Sequence, residues 1–335
     1  MKLHVFIAIL CFAIGLSSCQ QKSNKIVEPS ESRSILPPNT GHLSELVLVI
    51  SDELWLGEVG ALLKSSFQEN ILAIPQQEAL FDLYAINYSE FSSIFQTHKN
   101  ILWVSIGDSN SIERTDQKWS KNQLYVHVKG RSEGQLVASL NQRLQEIRNW
   151  YLKKNTKRRL SKLKRYSEKE IQNQIRNAYQ VDLVVPKGYR VAEAEETFIW
   201  LRRDQPKLNL ISNIWLHIEE YKSPKQFGKQ RLIQLRDSLG MTHVEGVKPQ
   251  SFMTTELMYD PDYELVKEKP YTIMTKGLWT MVNGFLGGPY TANAILDEDN
   301  QRMIYVEGFL YCPNERKRSH IHELEAVLSS LQRIR

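Results

Sequence analysis

The chain has 335 residues, of which 43 are Lys or Arg and 38 are Asp or Glu, for a formal net charge of +5. So small an excess gives no electrostatic reason for a nucleic-acid partner, which is held by dense basic clusters. The length suits one large or two ordinary domains, each able to close its own core.

Residues 1–18 read as a secretory leader: Lys2 supplies the positive flank and residues 3–16 are almost entirely apolar. The run then meets Ser17, Ser18, Gln20, Gln21 and Lys22, short of the roughly 20 apolar residues a spanning helix needs. Leu16-Ser17-Ser18-Cys19 resembles the bacterial lipobox, in which an aliphatic residue and two small ones precede the acylated cysteine. Cys19 is then the lipidated first residue of the mature protein. Each acyl methylene contributes roughly 0.8 kcal/mol in a bilayer, so the membrane is reached through lipid on Cys19 without a transmembrane helix. Gln20, where inner-membrane retention favours Asp, points to the outer membrane with the protein facing the periplasm. Of the three cysteines, Cys11 leaves with the leader and Cys19 takes lipid, so only Cys312 remains and no intramolecular disulfide is expected.

Residues 19–38 carry the lipidated cysteine and a Ser-, Lys-, Glu- and Pro-rich tether with too little apolar content to pack. Residues 46–50 read as a buried strand, and Asp52 as the cap of a helix with the apolar stripe Trp55, Val59, Leu62, Leu63 and Phe67. Further strands are expected at 81–86, 100–106 and 123–128. Ser132 and Gln135 form a capping box ahead of the helical stripe Leu136, Leu140, Leu144, Ile147 and Tyr151. Strands alternating with helices make residues 39–155 an N-terminal α/β domain.

Between Lys153 and Arg165 stand eight basic residues and no acidic one. The run reads as a solvated helix end or linker, with contact to an anionic surface as the alternative, and residues 156–179 are taken as a basic helical linker. Beyond it, 181–185 is a short strand stopped by Pro186-Lys187-Gly188, and 197–202 and 208–221 form a hairpin. Ser223, Pro224 and Gln226 start a helix that Gly240 would end. Strands follow at 271–282, 290–296 and 303–312, and a last helix from Ser319 carries Ile321, Leu324, Leu328, Leu331 and Ile334. Residues 180–335 are thus expected to be a C-terminal α+β domain with an antiparallel sheet. Cys312 follows an apolar strand, where a buried and inert thiol is the common outcome.

Several segments carry a resemblance. Asp52-Glu53-Leu54-Trp55-Leu56-Gly57-Glu58-Val59-Gly60, Ile74-Pro75-Gln76-Gln77-Glu78, Lys276-Gly277-Leu278-Trp279 through Gly287-Gly288-Pro289-Tyr290, and Glu307-Gly308-Phe309-Leu310-Tyr311 are similar to a family of uncharacterised Gram-negative envelope lipoproteins, a domain of unknown function. Ala79 stands where that resemblance implies a second proline. The resemblance implies the anchor and the envelope location and brings no catalytic residue. The order of elements after Val181 also looks like the α/β/α sandwich of PsbP-like proteins, mostly binding or assembly modules. The candidate binding residues on these segments are Trp55, Gln76, Glu78, Trp279, Gly287, Gly288, Pro289 and Tyr290. At the last of them, Gly284, Gly287 and Gly288 bring flexible backbone beside Trp279, Phe285 and Tyr290, which suits either recognition or a plain hairpin.

Catalytic motifs are incomplete. Gly107-Asp108-Ser109 follows a strand as in GDSL-type esterases, but the late Asp-x-x-His pair is missing, and the segment reads as a turn. His320 and His322 are two apart at a helix start and make a poor ligand pair. Asp297-Glu298-Asp299-Asn300 lacks the ligand spacing of a calcium loop and reads as a hairpin turn. No cofactor or metal is expected. The sequence therefore favours a non-enzymatic, outer-membrane-anchored module that binds a protein, lipid or glycan of the envelope, with a hydrolase built from scattered residues around Ser109 or Cys312 as the alternative.

Cys19→Ala is expected to abolish acylation and leave an unprocessed precursor, since lipoprotein processing follows thiol modification. Metabolic labelling with a fatty-acid analogue measures this, and equal label in variant and parent would end the lipoprotein assignment.

Overall fold

The computed structural model describes residues 36–266 and 270–334. The leader, Cys19 and the tether up to residue 35 lie outside the described residues. The last tether residues are held in the fold, with Pro37 O accepting from Lys121 N.

In chain order the first half carries β1 (Glu45–Val49), α1 (Asp52–Leu56), α2 (Glu58–Phe67), β2 (Asp82–Ile86), α3 (Ser93–Gln96), β3 (Asn100–Ile106), β4 (Ser111–Asp116), β5 (Leu124–Gly130) and α4 (Glu133–Arg165). Its sheet has the order β2-β1-β3-β5-β4, parallel except for the antiparallel edge strand β4. Both faces are covered, which is why β1 is apolar without a break. Leu46 and Leu48 meet Val59, Leu63 and Phe67 of α2 and Leu136, Leu140 and Ile147 of α4, while Val47 and Val49 meet Trp103, Tyr88 and Phe91 on the other side. Ser51, not Asp52, caps the first helix, and the expected single helix breaks at Gly57. Sequence reading missed β4 because only Ile112 in it is strongly apolar, as befits an edge strand.

The second half carries α5 (Lys169–Tyr179), β6 (Val181–Asp182), β7 (Arg190–Ala194), β8 (Phe198–Gln205), β9 (Leu210–Glu220), α6 (Lys229–His243), β10 (Met253–Thr255), β11 (Asp262–Val266), β12 (Thr272–Met281), β13 (Gly287–Asp297), β14 (Arg302–Tyr311), α7 (Arg318–Leu328) and β15 (Gln332–Arg333). An antiparallel sheet runs β10-β12-β13-β14-β9-β8-β7, with β11 also paired to β12. One face packs on α5 and α7 through Ile175, Tyr179, Ile321, Leu324 and Val327. The other packs on α6 through Leu232, Leu235 and Leu239. The expected helix–sheet–helix sandwich is therefore present, behind a mixed α/β first half.

Several local expectations are corrected. The basic run is no linker: it is the C-terminal part of α4, a single helix of 33 residues, and the chain breaks only at residues 166–168 before α5. Ser223 and Gln226 do form a capping box, but on a 3₁₀ turn (Pro224–Phe227), and α6 starts after Gly228. Gly240 does not stop α6. It lies inside the helix against β10, where a Cβ would stand 2.3 Å from Met253 O. The last helix ends at Leu328, before Leu331 and Ile334, because Ser329 and Ser330 donate back to the carbonyls of Ala326 and Val327. The strand expected at 181–185 shrinks to β6, whose partner is β15.

The two halves are knit by the loop between α2 and β2. Ile71 is buried in the α5/α7 core, with Ile74 and Leu80 packed against it. Glu78 is buried, and its carboxylate accepts from Lys317 N at 2.6 Å and Arg318 N at 3.1 Å, capping α7 from outside its own half. Arg318 grips Asp82 with its two terminal guanidinium nitrogens at 3.0 and 2.5 Å and donates to Ala79 O at 2.7 Å. Lys317 Nζ reaches Gln76 Oε1 at 2.8 Å.

Glu78→Ala leaves the buried Lys317 N–H and the part-buried Arg318 N–H without their acceptor and should cost roughly 2 to 4 kcal/mol, lowering Tm by several degrees, with Glu78→Gln losing clearly less. Thermal unfolding followed by circular dichroism measures the series. An alanine variant as stable as the parent would show that the cap is not what joins the halves.

Candidate functional site

The basic residues of α4 become one wall of a cleft. As far as Tyr151 the helix buries its stripe against the first sheet. The same face then continues as Asn155 and Arg158, four and three residues on, and here it is polar. Asn155 Nδ2 donates to Leu43 O at 2.7 Å. Arg158 donates to Asn100 Oδ1 at 2.6 Å, Asn155 Oδ1 at 2.7 Å and Lys99 O at 2.8 Å. Asn100, fully buried, in turn holds the carbonyls of Leu43 and Glu45. These bonds fix the loop that leads into β1 as the floor. The N-terminal turns of α7 form the second wall.

The resulting cleft has a volume of about 900 Å³ and is lined by Lys154, Lys157, Arg158, Arg159 and Lys162 from α4, by Lys99, and by Arg316 and Arg318 opposite. Glu45, Glu78, Asp82 and Glu323 are the acidic residues along it. A smaller cavity of about 220 Å³ shares Leu43, Ser44, Arg159 and His322 with it.

Some of these cations are committed to the fold. Arg318 holds Asp82, and Lys154 holds Asp116 Oδ1 at 2.6 Å. Burial alone would raise the Asp116 carboxyl, but the hydrogen bond and charge of Lys154 bring it below its ordinary value. Burial pulls the Arg158 guanidinium down to about 10 against the opposing pull of Asp116 and Tyr151, so it stays charged at neutral pH. Burial likewise lowers Arg159, opposed by Glu323 and Glu325. Among the described residues, Lys157, Arg159, Lys162 and Arg316 make no direct ion pair. His322 stands at the junction of the two cavities. Burial lowers its pKa, with Arg159, Lys276 and Arg318 adding to this against Glu325. Its side chain is 18% exposed.

The candidate binding residues do not converge. Trp55 lies on α1 under the Lys64 ammonium, 4.0 Å from its ring centre. Gln76 and Glu78 serve the clamp on α7, and Glu78 also edges the cleft. Trp279 and Tyr290 are 5% and 2% exposed and pack in the α6-face core, whereas Phe285 is 94% exposed, so the three do not make one aromatic platform. Gly287 and Gly288 begin β13, with Pro289 buried after them. Gly288 is required by close approach: a Cβ there would lie 2.1 Å from Leu310 O, the acceptor that Trp279 Nε1 reaches at 3.1 Å. Trp279 does border a second cleft, of about 490 Å³, with Trp200, Phe309, Tyr311 and His243.

Of the nucleophile candidates, Cys312 is 1% exposed and burial pushes its thiol up, away from the reactive thiolate. Ser109 sits in the β3–β4 turn. A serine–histidine contact occurs elsewhere, where no motif marked it: Ser105 Oγ lies 2.9 Å from His127 Nε2 across neighbouring strands, beside Trp103 and Tyr125.

Residues 168–330 match the model of a domain of unknown function, DUF4837, and residues 39–164 match that of another, DUF8532. No curated protein matches the chain. Solved structures with some likeness include the Saccharomyces cerevisiae Ran-binding protein Mog1p, at 12% identity over 46% of this chain and 90% of that one, with a TM-score of 0.32. Human StAR-related lipid transfer protein 5 is another, at 10% identity over 51% of this chain and 96% of that one, with a TM-score of 0.24. The two family matches meet at the break between α4 and α5, one around the first sheet and one around the second.

Proposed function

We propose that the protein is an outer-membrane lipoprotein, anchored through Cys19, whose folded part is a non-catalytic module that captures an anionic ligand of the envelope in the α4–α7 cleft. The observation that carries this reading is the set Lys157, Arg159, Lys162 and Arg316, cations gathered on facing walls with no ion-pair partner among the described residues. The four carboxylates along the cleft, Glu45, Glu78, Asp82 and Glu323, are outnumbered by its eight cations, and an anion there relieves the repulsion that is left. The phosphates of a lipid headgroup or the carboxylates of an envelope glycan supply the matching chemistry. The anchor rests on the lipobox, and the tether from Cys19 joins the fold at Leu36, three residues before Asn39 at the cleft.

A form starting at Gln20, without acyl chains, should co-sediment with vesicles containing about 30% anionic lipid and not with neutral ones. Binding should fade as salt rises from about 50 to about 300 mM. Replacing Lys157, Arg159, Lys162 and Arg316 with Gln should weaken it by about tenfold or more. If vesicles fail, an acidic glycan is the second probe. Absence of binding to both at low salt, or a quadruple variant that binds as the parent does, would overturn the proposal.

The hydrolase alternative has one observation in its favour, the Ser105–His127 contact. Under the binding reading a fluorophosphonate probe leaves the chain unlabelled. Labelling that disappears in Ser105→Ala would move the assignment to an enzyme.

A further inference from the structure

The edge of the second sheet holds a group of side chains that the cleft does not use. β7 and β8 pair regularly up to Val191 opposite Leu201, and then a bulge at Ala192 shifts the register so that Glu193 faces Trp200. Without that extra residue Ala192 would occupy the α6 face. The bulge puts Glu193 there instead, and the two-residue repeat of a strand puts Glu195 on the same side. Across from them is His243, the last residue of α6, at the helix end whose carbonyls favour a cation.

His243 is held firmly. Its ring stacks on Phe198 at 3.8 Å between centres and 12° between planes, and its side chain is 5% exposed. Its Nδ1 is buried and makes no hydrogen bond, although Glu193 Oε1 is only 3.1 Å away, because the approach is off the donor direction. Donor atoms of Glu193, Glu195 and His243 all lie within 4.8 Å of one another.

We propose that Glu193, Glu195 and His243 bind a divalent transition-metal ion, with zinc the preferred occupant. Zinc bonds of about 2.0 to 2.1 Å at the tetrahedral angle place two ligands about 3.3 Å apart, close to the spacing already present between His243 and Glu193. Two carboxylates with one imidazole suit zinc, whereas calcium takes six or more oxygen ligands and is poorly served by an imidazole donor. Glu195 is exposed, and its carboxylate already lies within 4.8 Å of the other two donors. Three protein donors leave zinc a fourth position, and His243 also borders the 490 Å³ aromatic cleft.

The test is isothermal titration of the chelator-stripped, purified chain with zinc chloride at neutral pH, paired with thermal unfolding. One zinc per chain should bind with a Kd of about 10 µM or tighter and raise Tm, and about 1 mM calcium should not compete. His243→Ala and Glu193→Gln should each weaken binding by about tenfold or more. Glu193→Gln changes only an edge-strand side chain, so it reports on the site even if His243→Ala disturbs the packing on Phe198. No binding up to about 100 µM zinc, or one-to-one binding that survives unchanged in Glu193→Gln, would overturn the site and leave an ordinary histidine–carboxylate pair.

Discussion

The buried carboxylate of Glu78 is the constraint on which the arrangement of this molecule rests. A helix N-terminus exposes N–H groups that need acceptors, and the start of α7 finds them in a loop of the other half. With α7 so held, Arg318 reaches Asp82 and Lys317 reaches Gln76, and α7 lies along α4. From Leu36 onward the chain is accordingly one compact unit, although each sheet keeps separate apolar clusters. The cleft exists because two helices from different halves are fixed side by side with their cations facing.

The helix α4 performs two tasks in succession along one face. Leu136, Leu140, Leu144, Ile147 and Tyr151 close the core of the first sheet. Asn155 and Arg158 extend the face past the starts of β1 and β3, where the neighbours are main-chain carbonyls and the buried side chain of Asn100. A guanidinium is well matched to such a site, because its donors satisfy several carbonyls at once and it remains charged when buried. On the neighbouring face of the helix, Lys157 and Lys162 line the cleft.

Buried charge is handled differently in the second sheet. Arg236 of α6 and Glu307 of β14 are 1% and 0% exposed and 3.2 Å apart. The guanidinium lies 4.1 Å from the Tyr290 ring centre, and Tyr305 donates to the Glu307 carboxylate at 2.6 Å. Burial raises the Glu307 carboxyl, which Arg236 and Tyr305 oppose. A group so enclosed orients α6 on the sheet: losing either charge would strand the other, so α6 has one acceptable position. This gives Tyr290 a structural partner and explains why its ring is not available at the surface.

Several elements with a repeating period were legible in the sequence, although the stripes at Trp55–Phe67 and Ile321–Ile334 ran past the helix ends that Gly57 and Ser329 impose. The unbroken apolar β1, the stripe of α4, the β8–β9 hairpin, the long strands β12 to β14 and the inert setting of Cys312 all follow from local pattern, because burial of one face imposes a two- or 3.6-residue rhythm. Edge strands β4, β7, β10 and β11 escaped, being short or polar with little buried face to mark them. Tertiary structure alone decided that the Lys153–Arg165 run lines a cleft and is not a linker, since that required α7 to arrive from the far end of the chain. It alone showed that Gln76 and Glu78 clamp a distant helix and that Trp279 and Tyr290 fill a core. Glu193, Glu195 and His243 carried no motif, because a one-residue bulge and the end point of α6 bring them together, and neither leaves a period in the sequence.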